Sequence, residues 1–375
     1  MAHEDHHRIV LTGGGTGGHI YPALSVAEKL SGDPEVEDIL YIGAAGHLEE
    51  RLAADRGLRF VGLEVAGLPR TLSPRLLTWP FTTFQAVAKA RSLLKEFRPT
   101  CVLGTGGYAS AAPLIAALTM NIPFAVHEPD AHPGLVNRSL GKFASLVSLG
   151  MEGARGGFAG ARGEVLVLGN PVSERFVDTL PPAEARRSLG LDPDLRTIVV
   201  TGGSQGAAAI NESLREALPE LLEKNIQIIH QAGDRNLESF RESLHGSILS
   251  DRRYCLRPYF EDMALVYAAS DFAVSRAGAM TIAELAVTGT TSIFIPYPYA
   301  AQNHQMHNAR ALETRGAAAV IDQQDLDGKS LASAIFRLLD EPGLLAAMNE
   351  AMKSLGKPDA ARDLAGKLKN LSSKI

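Results

Sequence analysis

A two-domain α/β chain with parallel sheets is predicted by three observations. Short apolar runs alternate with segments of helical spacing from end to end, the order that builds parallel sheets covered by helices. The alternation opens twice in the same way, on "IVLTGGGTGGHIYPA" and on "IVVTGGSQGAAAIN", each a strand running into a glycine-rich turn and a helix. Between the two sets lies "GNPVSERFVDTLPPAEARRSLGLDPDLR", dense in proline and charge, which reads as an interdomain connection. At 375 residues the chain also exceeds the roughly 250–300 residues at which single cores stop growing. The expectation is two Rossmann-like domains, residues 1–172 and 173–355, with parallel sheets facing across a cleft and ligand at the strand carboxyl ends.

In the first half the strands are "RIVLT", "DILYIG", "TCVLG", "FAVHE", "LVSLG" and "EVLVLG". Between them "YPALSVAEKL" and "FQAVAKARSLLKEF" carry apolar residues at helical spacing. The second half has "TIVVTGG", "IQIIHQAG", "YCLRPY", "DFAVS", "SIFIP" and "AAAVI". The last segment, from about 356 to 375, contains "PDAARDLAGKLKNLSSKI", an amphipathic helix with nothing after it to cover its apolar face. Packing back on the first domain would cover it.

Composition narrows the class. Hydrophobic residues make up 45% and charged residues 21%, as in ordinary soluble globular proteins. The formal net charge of −5 opposes a general nucleic-acid partner, which needs a basic surface. Cys101 and Cys255 both lie in strand-like runs and read as buried reduced thiols. The start "MAHEDHHRIV" lacks an apolar signal segment and reads as a solvated tip, and no run of about 18 apolar residues suggests a membrane span.

Three glycine-rich turns follow strands: residues 13–18, "GTGGYAS" from Gly104, and "GGSQGA" from Gly202. Such turns let main chain approach a ligand, and the helix behind presents N–H groups to phosphate; a tight turn without ligand is the plain alternative. Gly13, Gly15 and Gly18 satisfy the dinucleotide fingerprint, but that reading needs a carboxylate at the end of the second strand. There the chain has Ile42, Gly43 and Ala44. No Walker lysine motif is present either.

A fourth phosphate candidate is "SRAGAMTIAELAVTG". Its helix N–H groups at 279–281 suit an α-phosphate, Arg276 suits further charge, and Glu284 suits ribose hydroxyls. The alternative for Glu284 is a surface residue favouring the helix dipole. Gln305 and Asn308 are amides suited to sugar hydroxyls. The pairs Asp192–Asp194 and Asp325–Asp327 follow no strand and read as turn and cap residues. No spacing suggests zinc, so no metal ligand is assigned; if a nucleotide diphosphate binds, main-chain dipoles and arginine replace an essential divalent cation, and no cofactor is required.

Taken in order, "GGTGGHIYPA", "GTGGYAS", "HEPD", "GNPV", "GGSQGA" and "AGAMTIAE" with "HQMHNA" resemble the MurG family of lipid-linked N-acetylglucosaminyltransferases in peptidoglycan synthesis. The resemblance runs from about Gly13 to Asn308. It implies the GT-B fold and inverting transfer of N-acetylglucosamine from UDP-N-acetylglucosamine to the C4 hydroxyl of an undecaprenyl-diphosphate-linked muramyl peptide. It implies that Thr16, Gly17 and Gly18 approach the donor sugar and that Ser204 contacts the donor. The Phe260 main chain would read uracil, and the stretch Ala279, Met280, Thr281, Ile282, Ala283 and Glu284 would take α-phosphate and ribose. Gln305 would hold the N-acetyl sugar, with Tyr108 and Asn137 on the acceptor side. Asp130 stands where the family commonly has asparagine, and it accepts hydrogen bonds without donating them. Ser173 stands where some members have arginine, and "SAAP" replaces "SGP".

Removing the acceptor proton suits a histidine, and His19 is assigned as base or acceptor-orienting group, with Glu128 as the second choice. A histidine that only caps its helix is the alternative. The lipid of the acceptor requires contact with a membrane. Leu76, Leu77, Trp79, Phe81 and Phe84 with Arg70 and Arg75 form an apolar-basic segment suited to anionic headgroups, or else ordinary helix core. The placement expected is peripheral, on the cytoplasmic face of the bacterial plasma membrane, with other cell-wall synthesis proteins as partners. The rivals are another GT-B enzyme, such as a natural-product glycosyltransferase or a UDP-N-acetylglucosamine 2-epimerase, and a silent UDP-sugar sensor.

Overall fold

The continuous apolar runs form strands buried on both faces, as parallel sheets covered by helices require. The computed structural model describes residues 6–65, 75–203, 205–300 and 303–372, and their side chains except at 75–80 and 372. The chain divides into two units, one of Met1–Ser173 with Lys357–Ile375 and one of Glu174–Gly356.

Unit 1 holds β1 (His7–Thr12), β2 (Val36–Ala44), β3 (Arg59–Leu63), β4 (Cys101–Gly104), β5 (Phe124–Glu128), β6 (Leu146–Leu149) and β7 (Glu164–Val167). They form one parallel sheet in the order β3-β2-β1-β4-β5-β6-β7. Unit 2 holds β8 (Thr197–Thr201), β9 (Gln227–Gln231), β10 (Tyr254–Arg257), β11 (Phe272–Ser275), β12 (Ser292–Phe294) and β13 (Ala318–Val320), in the order β10-β9-β8-β11-β12-β13. Both orders reverse beside the strand that opens the unit, which is where α/β sheets bind ligands, beyond the carboxyl ends. Among the described residues, β3 is the one strand that the sequence does not predict. It is a half-exposed edge strand, "RFVGL", with no continuous apolar run to announce it.

Register sets the loops abreast. Thr12 pairs with Ile42 and with Gly104, and Gly104 pairs with Val126. The chain therefore leaves β1 and β4 at one level, while β5 runs on past Val126 to Glu128. In unit 2, Thr201 pairs with Gln231 and Ser275, and Gln231 pairs with Arg257.

Alternation along β1 splits the core of unit 1. Val10 joins Val102, Leu114, Val126 and Phe97 on one face, while Ile9 and Leu11 join Leu24 and Leu103 on the other. The helix Ala360–Ser372 completes the second face, burying Leu364 and Leu368 in that cluster and lying against the helix Gly17–Leu30. Lys369 reaches Asp33 and Glu35 at 2.6 Å, and Lys367 reaches Glu164 at 3.2 Å. Such surface pairs contribute about 0–1 kcal/mol each, against roughly 1.5–3 kcal/mol for burying a leucine. Apolar docking dominates. Leu368→Ala should therefore destabilise unit 1 by about 2–5 kcal/mol. The single tryptophan, Trp79, belongs to this unit, so urea denaturation followed by its fluorescence checks the loss.

Candidate active site

In unit 1 the loops after β1 and β4 touch main chain to main chain. The Gly14 N–H donates to the Gly106 carbonyl at 3.3 Å. A side chain at Gly107 would collide with the Gly14 carbonyl oxygen, and φ there is +75°. A Cβ at Gly106, where φ is +106°, would lie 2.7 Å from the His19 ring at Cδ2 and 3.1 Å from Asn137 Nδ2. Glycine at these two positions is what lets the imidazole approach the amide.

His19, in the first turn of the helix Gly17–Leu30, is half-buried. Its Nδ1 lies 3.3 Å from Thr16 Oγ1, and its carbonyl accepts from Thr105 Oγ1 at 2.5 Å. Thr16 is the N-cap but makes no side-chain cap hydrogen bond. Pro22 in the second turn has no N–H for the Gly18 carbonyl. Gly17 and Gly18 are half-buried beside it, and the Tyr108 ring lies against Gly15 and edge-on to His47.

Glu128 ends β5 with both carboxylate oxygens engaged. Oε1 accepts from the Asp130 N–H at 3.1 Å; Oε2 accepts from the Gly134 N–H and from Asn137 Nδ2, each at 3.0 Å. Burial nevertheless outweighs these donors and pushes the carboxyl up to about 7, with the Asp130 charge adding to the rise. Asn137 Nδ2 also donates to the His127 carbonyl at 2.9 Å, while its buried Oδ1 has no partner. His127 itself sits between Ser148 Oγ and Asn170 Oδ1, both at 3.0 Å, and burial holds it neutral, down to about 4. Asn170 Nδ2 closes the ring by donating to the Pro129 carbonyl. The "HEPD" and "GNPV" segments thus form one polar network, a join that their 40-residue separation conceals.

In unit 2 the helix Ala279–Thr288 begins after Gly278 with no side-chain cap, which leaves its first turn to other acceptors. Ala279, Met280 and Ile282 are buried in the core, so these three can offer a ligand only main chain; Thr281, Ala283 and Glu284 are half-buried. The Glu284 carboxyl is pushed up to about 8 by burial, with no donor to offset it. Arg276 is already committed: Nη1 donates to the Ile295 and Pro296 carbonyls, Nη2 to Gln323 Oε1 at 2.6 Å, and the guanidinium lies 5.4 Å from the Tyr297 ring. Its first task is bracing the β11 and β12 loops. Gln305 Oε1 accepts from the Tyr297 N–H at 2.9 Å. Asn308 is buried and donates to the Ala277 carbonyl at 3.2 Å, supporting the loop from behind. The buried Phe260 gives its N–H to Gln231 Oε1 at 2.9 Å.

Arg70 and Ser204 lie outside the described residues, as do the side chains of Arg75, Leu76, Leu77 and Trp79. Phe81 and Phe84, on the helix Arg75–Phe97, are 64% and 71% exposed, so these two are not helix core. Among the described residues no helix is long and apolar enough to cross a membrane. Asp194 N bonds to Asp192 Oδ1 in a turn, and Asp327 caps the helix Gly328–Asp340 in a capping box with Ser330. Among the described residues no three His, Cys, Asp or Glu side chains gather as a metal site.

Three supporting residues were missed in the sequence. Thr105 sits inside a quoted glycine turn, yet only the register reveals that it grips His19. Gln231 is one more polar residue at a strand end. Glu49 is fully buried under Gly14, with Oε1 accepting from the Ala44 N–H and Oε2 unpartnered.

Comparison with known proteins agrees with this geometry. Residues 9–148 match the glycosyltransferase family 28 N-terminal domain, and residues 197–364 match the family 28 C-terminal domain. The chain is 40% identical over 362 residues, 95% of its length and 97% of the relative's, to the UDP-N-acetylglucosamine–N-acetylmuramyl-(pentapeptide) pyrophosphoryl-undecaprenol N-acetylglucosamine transferase of Halothermothrix orenii. The crystal structure of Acinetobacter baumannii MurG superposes with a TM-score of 0.74 at 26% identity, covering 97% of this chain and 99% of that one. A UDP-GlcNAc 2-epimerase from Neisseria meningitidis, solved bound to UDP-GlcNAc, shares the fold with a TM-score of 0.70 over 97% of this chain and 99% of its own, at 13% identity. That likeness extends to the fold alone. With two parallel α/β units, the ordered glycine loops and this near full-length kinship, the chain belongs to glycosyltransferase family 28 and, within it, to the MurG family.

Proposed function

We infer that the chain transfers N-acetylglucosamine from UDP-N-acetylglucosamine to an undecaprenyl-diphosphate-linked N-acetylmuramyl-pentapeptide, with inversion and attack by the muramyl C4 hydroxyl. The observation that carries this reading is the 40% identity over 95% of the chain to a transferase of that name. The donor is assigned to unit 2, with the first turn of the helix Ala279–Thr288 on phosphate, Glu284 on ribose, Gln305 on the sugar, and Ser204 and the Phe260 main chain as further contacts. Unit 1 is assigned the acceptor, through Tyr108, Asn137 and the glycine loops.

An inverting displacement needs a base for the attacking hydroxyl. His19 is the better placed of the two, because its ring is half-exposed at the loop while Glu128 is buried and spends both oxygens on N–H donors. Glu128 then acts through Asn137, holding its amide in place between the loops. Charge on the departing UDP is met by helix N–H groups, and no divalent cation is essential to the chemistry. Radiolabelled sugar transfer from UDP-N-acetylglucosamine to a short-chain lipid-linked acceptor tests the reading. His19→Ala should lower kcat by about 10²–10⁴-fold, the usual contribution of a general base. Near wild-type turnover would remove the assignment.

The ionised Glu128 accepts three hydrogen bonds, and protonation below about 7 sacrifices acceptor capacity. Activity should therefore rise with pH through about 7. The Asp130 charge raises that midpoint, so Asp130→Asn should move the acid limb of the kcat/KM profile to lower pH.

The exposed Phe81 and Phe84 support peripheral membrane binding, assigned to the cytoplasmic face of the plasma membrane beside other cell-wall synthesis proteins. Changing both to serine should reduce sedimentation with anionic vesicles about a hundredfold or more, at roughly 1.5–3 kcal/mol per aromatic buried, and leave turnover of a water-soluble acceptor unchanged.

A further inference from the structure

At the end of β9 one side-chain amide joins three loops. Gln231 is buried. Its Oε1 accepts from the Phe260 N–H at 2.9 Å, and its Nε2 donates to the Gly203 carbonyl at 3.1 Å and to Thr201 Oγ1 at 3.2 Å. Thr201 Oγ1 in turn accepts from the Gly203 N–H at 3.0 Å. Thr201, Gln231 and Arg257 are register partners across β8, β9 and β10. The glycine loop after β8 and the Phe260 segment after β10 leave the sheet two strand spacings apart, about 10 Å. Gln231 stands between them and bonds to both.

The residue type follows from the partners. Phe260 offers a main-chain donor; Gly203 and Thr201 offer acceptors. A planar primary amide supplies one acceptor and two donors from a single group, which a carboxylate, a hydroxyl or an apolar side chain does not. Glutamate would keep the bond to Phe260 and set a carboxylate oxygen against the Gly203 carbonyl. Methionine would leave the buried Phe260 N–H and the half-buried Gly203 carbonyl without these partners.

We propose that Gln231 is a positioning residue for the nucleotide donor, fixing the spacing between the Gly203 loop and the Phe260 main chain so that one nucleoside diphosphate sugar engages both at once. This rests on the assignment of the donor to unit 2. The bonds of Gln231 run to the Gly203 loop, Thr201 and Phe260, all in unit 2, so its loss weakens donor binding selectively.

The test is steady-state transfer by the full chain, varying UDP-N-acetylglucosamine and a short-chain lipid-linked acceptor independently, for Gln231→Glu, Gln231→Met and the milder Thr201→Val. Donor KM should rise about tenfold in the first two and about threefold in the third, with kcat and acceptor KM within about twofold of wild type. A single cooperative melting transition without ligand, even at lowered temperature, shows that a variant is folded. A donor KM within twofold of wild type in a folded Gln231 variant overturns the proposal, as does a parallel rise of donor and acceptor KM. If neither Gln231 variant folds, an unchanged donor KM in Thr201→Val overturns it. Wild-type enzyme that transfers nothing from UDP-N-acetylglucosamine overturns the donor assignment itself, which separates that failure from failure of the clamp.

Discussion

Two stretches of bare main chain pressed against each other, after β1 and β4, are the constraint on which unit 1 depends. The Gly14–Gly106 hydrogen bond and the collision awaiting any side chain at Gly107 bring the first turn of one helix beside the 3-10 turn Tyr108–Ser110. His19, Asn137 and Tyr108 then gather around these loops. Parallel pairing makes this possible, because Thr12 and Gly104 end their strands side by side and the order reverses there. The glycines serve to set loop against loop.

Each unit places a carboxyl with weakened acidity near a strand end, by different means. Glu128 is raised to about 7 although three donors favour its charge, because burial wins. Glu284 is raised to about 8 with nothing to oppose burial. The first is clamped and suited to holding a neighbour still. The second has burial as the sole cause of its rise. His127, held neutral between Ser148 and Asn170, ties the Glu128 segment to the chain that leaves unit 1. The polar groups behind the loops thus fix the loops' geometry.

Strand-end amides extend the same logic to unit 2. Arg276 and Asn308, both chosen from the sequence for a ligand, spend their donors on main-chain carbonyls and Gln323. What they bond to follows from neighbours 19 to 47 residues away, which no local pattern shows.

By itself the sequence determined the two-domain α/β plan, nearly every strand, the glycine loops, and the turn and cap roles of Asp192, Asp194 and Asp327. These follow from local rules: apolar runs for covered strands, glycine for tight main chain, aspartate for caps. Tertiary structure alone decided the edge strand β3, the docking of Leu364 and Leu368 into unit 1, the exposure of Phe81 and Phe84, and the bonding of Thr105, Gln231 and Asn170. The physical reason is that burial and hydrogen-bond partnership belong to pairs of residues. Their pairing depends on which strands lie adjacent and at what register, and single-chain spacing carries no record of that.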